Sequence, residues 1–146
     1  MAQKSKPKMT SAELAAAGWT VEFMTPFTSL AGPLWGRGDP GGYVCGFEVE
    51  PRHLNNQGVL DRGALLTFAD HAIGIPGAHV FPDAAMVTLE LNIMFLADAV
   101  GGDFIEGRSS VIHSDGDLIF VRGTIQVGDR LIASCEGVWK KVKPIR

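Results

Sequence analysis

The sequence predicts an α+β domain in which antiparallel strands surround one apolar helix. Residues 61–75 read as a helix that is apolar around nearly all of its circumference, which is typical of a helix buried on most sides. Four extended segments follow it, and turn signals at Asp115-Gly116 and Gly128-Asp129 join three of them as hairpins. Strands joined by short hairpins pair antiparallel, and a curled sheet of such strands can wrap the helix.

Residues 1–42 are assigned to an N-terminal tail, a short helix and a loop, ahead of the main domain at 43–146. A capping box at Thr10 and Glu13 begins the short helix. Residues 26–42 are rich in glycine and proline, so we expect mostly loop there. The GRGDPG run in this loop matches a dinucleotide-binding glycine pattern. A proline interrupts it and a strand follows where that site needs a helix, so we reject the match.

Proline and apolar alternation define the remaining elements. Pro76 is expected to end the long helix. In the strand at 85–96, strict alternation places Thr88 and Phe95 on opposite faces. The predicted strands are, in order, 43–50, 85–96, 104–114, 118–127 and 131–142.

Composition argues against several classes of protein. The net charge is -3, so no overall attraction draws the chain to nucleic acid or to anionic lipid. No apolar run reaches the roughly 18 residues of a membrane span, and the basic N-terminus lacks the apolar region of a secretory signal. We therefore expect a cytoplasmic protein. Cys45 and Cys135 have neither zinc nor disulfide spacing and are expected to be buried thiols.

Asp70 lies in the middle of the apolar helix, where a carboxylate is costly to bury. Three interpretations compete. Asp70 could lie on a solvated stripe, although no cation stands three or four positions away to pair with it. It could bind a metal with His71, although two side chains fall short of a ligand set. It could be a catalytic carboxylate in an apolar cleft, where burial strengthens a general base.

Polar groups just ahead of the helix favour the catalytic interpretation. The free N–H groups of a helix N-terminus are ready donors for an oxyanion, and Asn55 adds a side-chain amide. One preorganised donor of this kind contributes about 2.7–4 kcal/mol to an acyl-transfer transition state.

These residues together resemble the motif of hotdog-fold thioesterases of the PaaI-like, phenylacetate-type branch. The resemblance covers roughly residues 43–142 and rests on His53, Asn55, Gly58, Gly63, the helix run LLTFADHAIG with Asp70 and the following strand VTLELNIMFLADA. It implies a hotdog fold, with an antiparallel sheet of five or six strands around the central helix. It also implies homodimers or dimers of dimers that hydrolyse acyl-CoA at sites between subunits. No metal or cofactor is then expected, since CoA is part of the substrate.

The resemblance also implies roles for individual residues. Asp70 would be the general base or nucleophile, and Thr88 would orient the attacking water. Asn55 of the other subunit and the backbone N–H of Arg62 would hold the thioester oxygen. The candidates for substrate binding are Gly63, Phe95 and His113.

The chain departs from the family pattern at two places. It has Asp61 and Arg62 where the family usually has His and Gly, and Asp117 where a basic residue often lies near the CoA. The leading hypothesis is an acyl-CoA thioesterase acting on a small or medium acyl or aromatic thioester. The alternatives are a non-catalytic hotdog module that binds an acyl or aromatic ligand, with Arg62 clamping a carboxylate, and a hydrolase of a non-CoA thioester.

Overall fold

Three α-helices and seven β-strands make up the part of the chain that the computed structural model describes, residues 8–22 and 24–145. They are α1 (Ser11–Ala16), β1 (Thr20–Val21), α2 (Pro26–Ala31), β2 (Leu34–Asp39), β3 (Gly42–Glu48), α3 (Arg62–Val80), β4 (Ala85–Phe95), β5 (Phe104–Asp115), β6 (Leu118–Val127) and β7 (Arg130–Val142), with a 3-10 turn at Pro51–His53. The five strands predicted from alternation are β3 to β7. The short N-terminal helix is α1, and its capping box is present.

All seven strands form one antiparallel sheet in the order β1-β2-β3-β5-β6-β7-β4, and α3 packs on one face of it. The helix buries Phe68, Ala72 and Ile73 against this face. Fully burying one large apolar side chain stabilises a fold by about 1.5–3 kcal/mol. The packing of α3 on the sheet therefore contributes substantially to the stability of the core. The predicted α+β class and the hotdog arrangement are confirmed, but the sheet has seven strands where five or six were expected. Both cysteines are buried as predicted, and burial raises the pKa of Cys135 to about 11.

The prediction of mostly loop over 26–42 is wrong, because the segment contains α2 and β2. Thr25 and Thr28 cap α2 reciprocally, and Pro26 stands in its first turn, where a missing N–H costs nothing. Strand β2 pairs with β3 along its whole length. Gly36 in this strand reflects crowding rather than a turn, since a Cβ there would overlap the Tyr43 hydroxyl and a carboxylate beside it.

The expected end of the long helix at Pro76 is also wrong, because α3 continues to Val80. A proline inside a helix leaves the carbonyl four residues earlier without its N–H donor. That carbonyl belongs to Ala72, and the Ser109 hydroxyl of β5 lies 3.4 Å from it and 3.3 Å from the Ile73 carbonyl. A side chain from a neighbouring strand therefore replaces the lost donor, and the helix tolerates its proline.

A β-bulge in β4 reverses the predicted faces of this strand. Thr88 pairs with Trp139 and Glu90 pairs with Val138, so Leu89 is an additional residue in β4. Thr88 consequently shares the helix-facing side with Phe95, which packs against the core. The prediction of opposite faces is wrong, because one inserted residue shifts a period of two by half a cycle.

Candidate active site

Asp70 and Thr88 meet on the exposed side of α3. The Thr88 hydroxyl donates to Asp70 Oδ1 at 2.6 Å. In the described part of the chain no other side chain donates to this carboxylate, so its second oxygen can accept a proton. The burial expected for Asp70 is not found within one protomer. Its sequence neighbour Ala69 is buried, whereas Asp70, about 100° further round the helix, is exposed to solvent.

The N-terminal turn of α3 begins at Asp61, which caps the helix. Its carboxylate accepts the N–H of Gly63 at 2.7 Å. Arg62 is the first helical residue, and its backbone N–H has no acceptor among residues 8–22 and 24–145. A free N–H at the positive end of a helix dipole is suited to holding an oxyanion.

The Arg62 side chain turns away from its own N–H. Its guanidinium lies 4.7 Å from the centroid of the Phe95 ring and forms a salt bridge of 3.1 Å with Asp98. Arg62 therefore pairs with Asp98 rather than with the neighbouring Asp61. Sequence reasoning missed Asp98, because no short-range pattern links two residues 36 positions apart.

Asn55 organises the turn that leads into α3. Its side-chain oxygen accepts the N–H of Gln57 at 2.9 Å and that of Val59 at 3.4 Å. Its backbone N–H donates to the Val59 carbonyl at 2.8 Å. The side-chain NH₂ has no acceptor in the described part of the chain and is left to donate outward. No described contact joins Asn55 to Asp70 within one protomer.

The three candidates for substrate binding fall in different places. Gly63 lies in the first turn of α3, and Phe95 is half-buried beneath the Arg62 guanidinium. His113 pairs with Phe120 after a β-bulge in β5, so it lies on the outer face of the sheet, away from α3. One protomer brings Gly63 and Phe95 to the N-terminus of α3 but leaves His113 apart from Asp70.

His71 does not join Asp70 in a shared site. It is half-buried about 100° further round the helix, and burial lowers its pKa while Glu22 and Asp70 oppose the shift. Its Nε2 atom is buried without a partner in the described residues. Within these residues no group of three metal-binding side chains comes together.

None of the described helices is long and apolar enough to cross a membrane.

One relative in sequence and two solved structures illustrate which known proteins this chain is similar to. A protein of Pseudomonas aeruginosa named "Putative esterase PA0474" is 31% identical over 119 residues, which is 79% of this chain and 87% of that protein. The structure of protein BH2602 from Bacillus halodurans with CoA has a TM-score of 0.71 at 23% identity and covers 82% of this chain and 78% of that one. A mutant of the phenylacetic acid degradation protein PaaI from Thermus thermophilus has a TM-score of 0.71 at 22% identity, covering 81% of this chain and 100% of that one.

The two structural similarities establish a shared fold. The family model described as "Thioesterase superfamily" matches residues 57–134, more than half of the chain. This range includes the N-terminal turn of α3, the Asp70–Thr88 pair and most of the sheet. The chain belongs to the thioesterase superfamily.

Proposed function

We propose that the protein is an acyl-CoA thioesterase of the PaaI-like branch, which hydrolyses a small or medium acyl or aromatic thioester to the free acid and CoA. The observation that carries the proposal is the Asp70 carboxylate, held by Thr88 on the open side of α3. The esterase name of the 31% identical relative and the CoA in the BH2602 structure support it.

In the proposed reaction Asp70 removes a proton from a water molecule, and the water oxygen attacks the thioester carbonyl carbon. Attack by the carboxylate itself, followed by hydrolysis of the resulting anhydride, uses the same residues. The carbonyl oxygen becomes an oxyanion, which the backbone N–H of Arg62 and the side-chain NH₂ of Asn55 stabilise. The tetrahedral intermediate then collapses, the C–S bond breaks, and the CoA thiolate takes up the proton that Asp70 removed from the water. As the resemblance implies, no metal or additional cofactor takes part.

The proposal requires two protomers for each site. Within one protomer Asn55 makes no described contact with Asp70, so we place the Asn55 amide opposite the Asp70 of a second copy. Strand β4, which carries Thr88, ends the sheet and has an open edge in the described chain. Pairing of such edges between two copies would bring two α3 helices together.

The contacts of the Arg62 side chain weigh against the alternative of a carboxylate-binding module. That alternative relies on a free Arg62 guanidinium, and the guanidinium is engaged by Asp98 and stacked on Phe95. A positively charged clamp for a free acid would first have to displace Asp98. We therefore prefer hydrolysis and treat binding without turnover as an outcome of the test.

The test is release of free thiol from short, medium and long-chain and aromatic acyl-CoAs by the wild type and Asp70→Asn. We expect turnover on at least one ester and a loss of about 10²–10⁴ in kcat in the variant, because the general base is removed. Asp129→Asn, at an exposed hairpin turn, is the matched control and should behave as the wild type.

Either of two results would contradict the proposal. Turnover by Asp70→Asn equal to that of the wild type would exclude Asp70 from the mechanism. Binding of acyl ligands by folded wild type without thiol release from any CoA ester would indicate a binding module. Release from a non-CoA thioester alone would shift the substrate class and leave Asp70 in its role.

A further inference from the structure

His53 is buried where β3, the end of α2 and the 3-10 turn meet, at the start of the loop that leads to α3. Its side chain is only 6% exposed, and its ring lies 4.7 Å from that of Phe47 on β3. The residue closes the 3-10 turn that follows β3 and stands two positions before Asn55. An imidazole buried to this degree needs partners for both of its nitrogens.

Both ring nitrogens have partners, and the partners define the tautomer. The backbone N–H of Glu50 donates to Nδ1 at 2.9 Å, and Nε2 lies 2.8 Å from the Ala31 carbonyl at the end of α2. An amide can only donate and a carbonyl can only accept. The hydrogen-bond network therefore assigns the neutral ring with its proton on Nε2.

The backbone of His53 continues this connection to α3. Its carbonyl accepts the N–H of Asp61 at 2.8 Å, and Asp61 is the capping residue immediately before Arg62. The segment from His53 to Asp61 contains the turn that Asn55 organises. His53 therefore anchors this segment twice, through the contacts of its ring at the start and through its backbone carbonyl at the end. Arg52 strengthens the junction with α2 by donating to the carbonyls of Leu30 and Gly32.

We propose that His53 is a positioning residue, whose neutral ring holds Asn55 and the Arg62 N–H in their arrangement at the α3 N-terminus. This inference rests on the proposed function, since it assigns His53 to the support of that same site. His53 itself has no role in proton transfer to substrate, because both nitrogens are occupied by backbone groups.

The hydrogen bond that Nδ1 accepts makes the positioning role of His53 dependent on pH. A second proton on the ring would occupy Nδ1 and end its bond with the Glu50 N–H. Burial and nearby Arg52 lower the pKa of His53, whereas the Ala31 carbonyl, Glu50 and Glu48 oppose the shift. These charges come from β3 and the 3-10 turn, while α2 contributes backbone carbonyls in the described structure. The turn is therefore intact above the ordinary histidine pKa of about 6.5 and loosens as the pH falls below the lowered value.

The experiment compares three substitutions that separate the two bonds. His53→Asn keeps an acceptor near the Nδ1 position, His53→Gln keeps a donor near the Nε2 position, and His53→Ala keeps neither. We expect His53→Ala to lower kcat about ten- to hundredfold with KM within about twofold, because misplaced oxyanion donors affect the transition state more than binding. His53→Asn should retain more activity than His53→Ala and lack the loss of kcat/KM that the wild type shows as the pH falls below the lowered pKa of His53. His79→Asn, at an exposed histidine, should keep that loss.

Amide hydrogen exchange gives a readout that does not depend on turnover. The Asp61 amide, which donates to the His53 carbonyl, should exchange at least about tenfold faster in His53→Ala than in the wild type. If the wild type hydrolyses no acyl-CoA, the proposed function fails, and the exchange measurement still decides whether His53 holds the turn. Unchanged Asp61 exchange in His53→Ala, or a His53→Asn profile identical to that of the wild type, would overturn the inference.

Discussion

At the scale of single residues, the Thr88 hydroxyl is the only described side-chain donor to the proposed catalytic carboxylate. Thr88→Val has nearly the same shape and lacks this donor. A hydrogen bond to a charged group is worth about 1.5–3 kcal/mol, and about 1.4 kcal/mol corresponds to tenfold in rate. We expect a fall in kcat of about tenfold, measured by steady-state thiol release.

Thr88→Ser is the matched control for this prediction, because it keeps the hydroxyl and removes only the methyl group. It should retain kcat within about threefold of the wild type. Equal kcat values for Thr88→Val and the wild type would show that Asp70 needs no orientation by this residue.

His71 predicts how stability depends on pH. Burial lowers its pKa in the folded chain, whereas the unfolded chain takes up a proton near pH 6.5. Its contribution to stability is therefore complete above about pH 6.5 and is lost as the pH falls through the lowered folded value. We expect the free energy of unfolding, measured with urea between about pH 7.5 and 5, to decrease toward acid.

The substitution His71→Gln separates this contribution from that of His53, whose pKa is lowered in the same direction. The variant should show a shallower decrease than the wild type, while His79→Gln at an exposed position should show the same decrease. A slope in His71→Gln as steep as that of the wild type would assign the acid sensitivity to other groups.

At the scale of elements, α3 lies so close to the sheet that a Cβ on Gly74 would overlap a side chain of β7. Alanine is normally better than glycine in a helix by about 0.5–1 kcal/mol. A Cβ on Gly74, however, would lie 2.6 Å from Trp139 Nε1 and 3.0 Å from Cε2 of the same buried ring. We expect Gly74→Ala to lower the free energy of unfolding by about 1–3 kcal/mol, measured by urea denaturation.

The control is Gly38→Ala in β2, where an added Cβ would have no atom within 4 Å. This substitution should leave stability within about 0.5 kcal/mol of the wild type. A stabilising Gly74→Ala would mean that Trp139 moves aside at little cost.

At the scale of the whole molecule, the open edge of β4 predicts the assembly. Val87, Leu89 and Met94 are large apolar residues of this strand that remain exposed, with Leu89 at 56%. An uncovered, partly apolar strand edge is a typical pairing surface. We expect Leu89→Lys to shift the protein from dimer to monomer in light scattering after gel filtration, with loss of turnover.

Val21→Lys serves as the control, since Val21 is similarly exposed but lies on β1, at the opposite edge of the sheet from β4. It should leave the dimer and its turnover intact, even if it separates dimers of a larger assembly. An active monomeric Leu89→Lys would contradict both the β4 interface and a site shared between subunits.

Much of the fold could be predicted because the underlying rules are local. Alternation identified β3 to β7, and the capping box at Thr10 and Glu13 correctly marked the start of α1. The resemblance brought Asp70 and Thr88 together, and one hydrogen bond now joins them. The prediction failed where a distant partner overrides a local rule. Pro76 stays within a helix because Ser109 is near the orphaned carbonyl, and β2 forms because β3 is there to pair with it.

The sequence by itself determined the α+β class, the long apolar helix and the family, because periodicity and motif spacing are written along the chain. Only the tertiary structure decided which side of β4 Thr88 occupies, since a bulge is a property of pairing between two strands. Likewise, only folding brings Asp98 to Arg62 and Ala31 to His53, which are far apart in sequence. The family could therefore be recognised from the residues alone, whereas the geometry of the candidate site depends on contacts between elements.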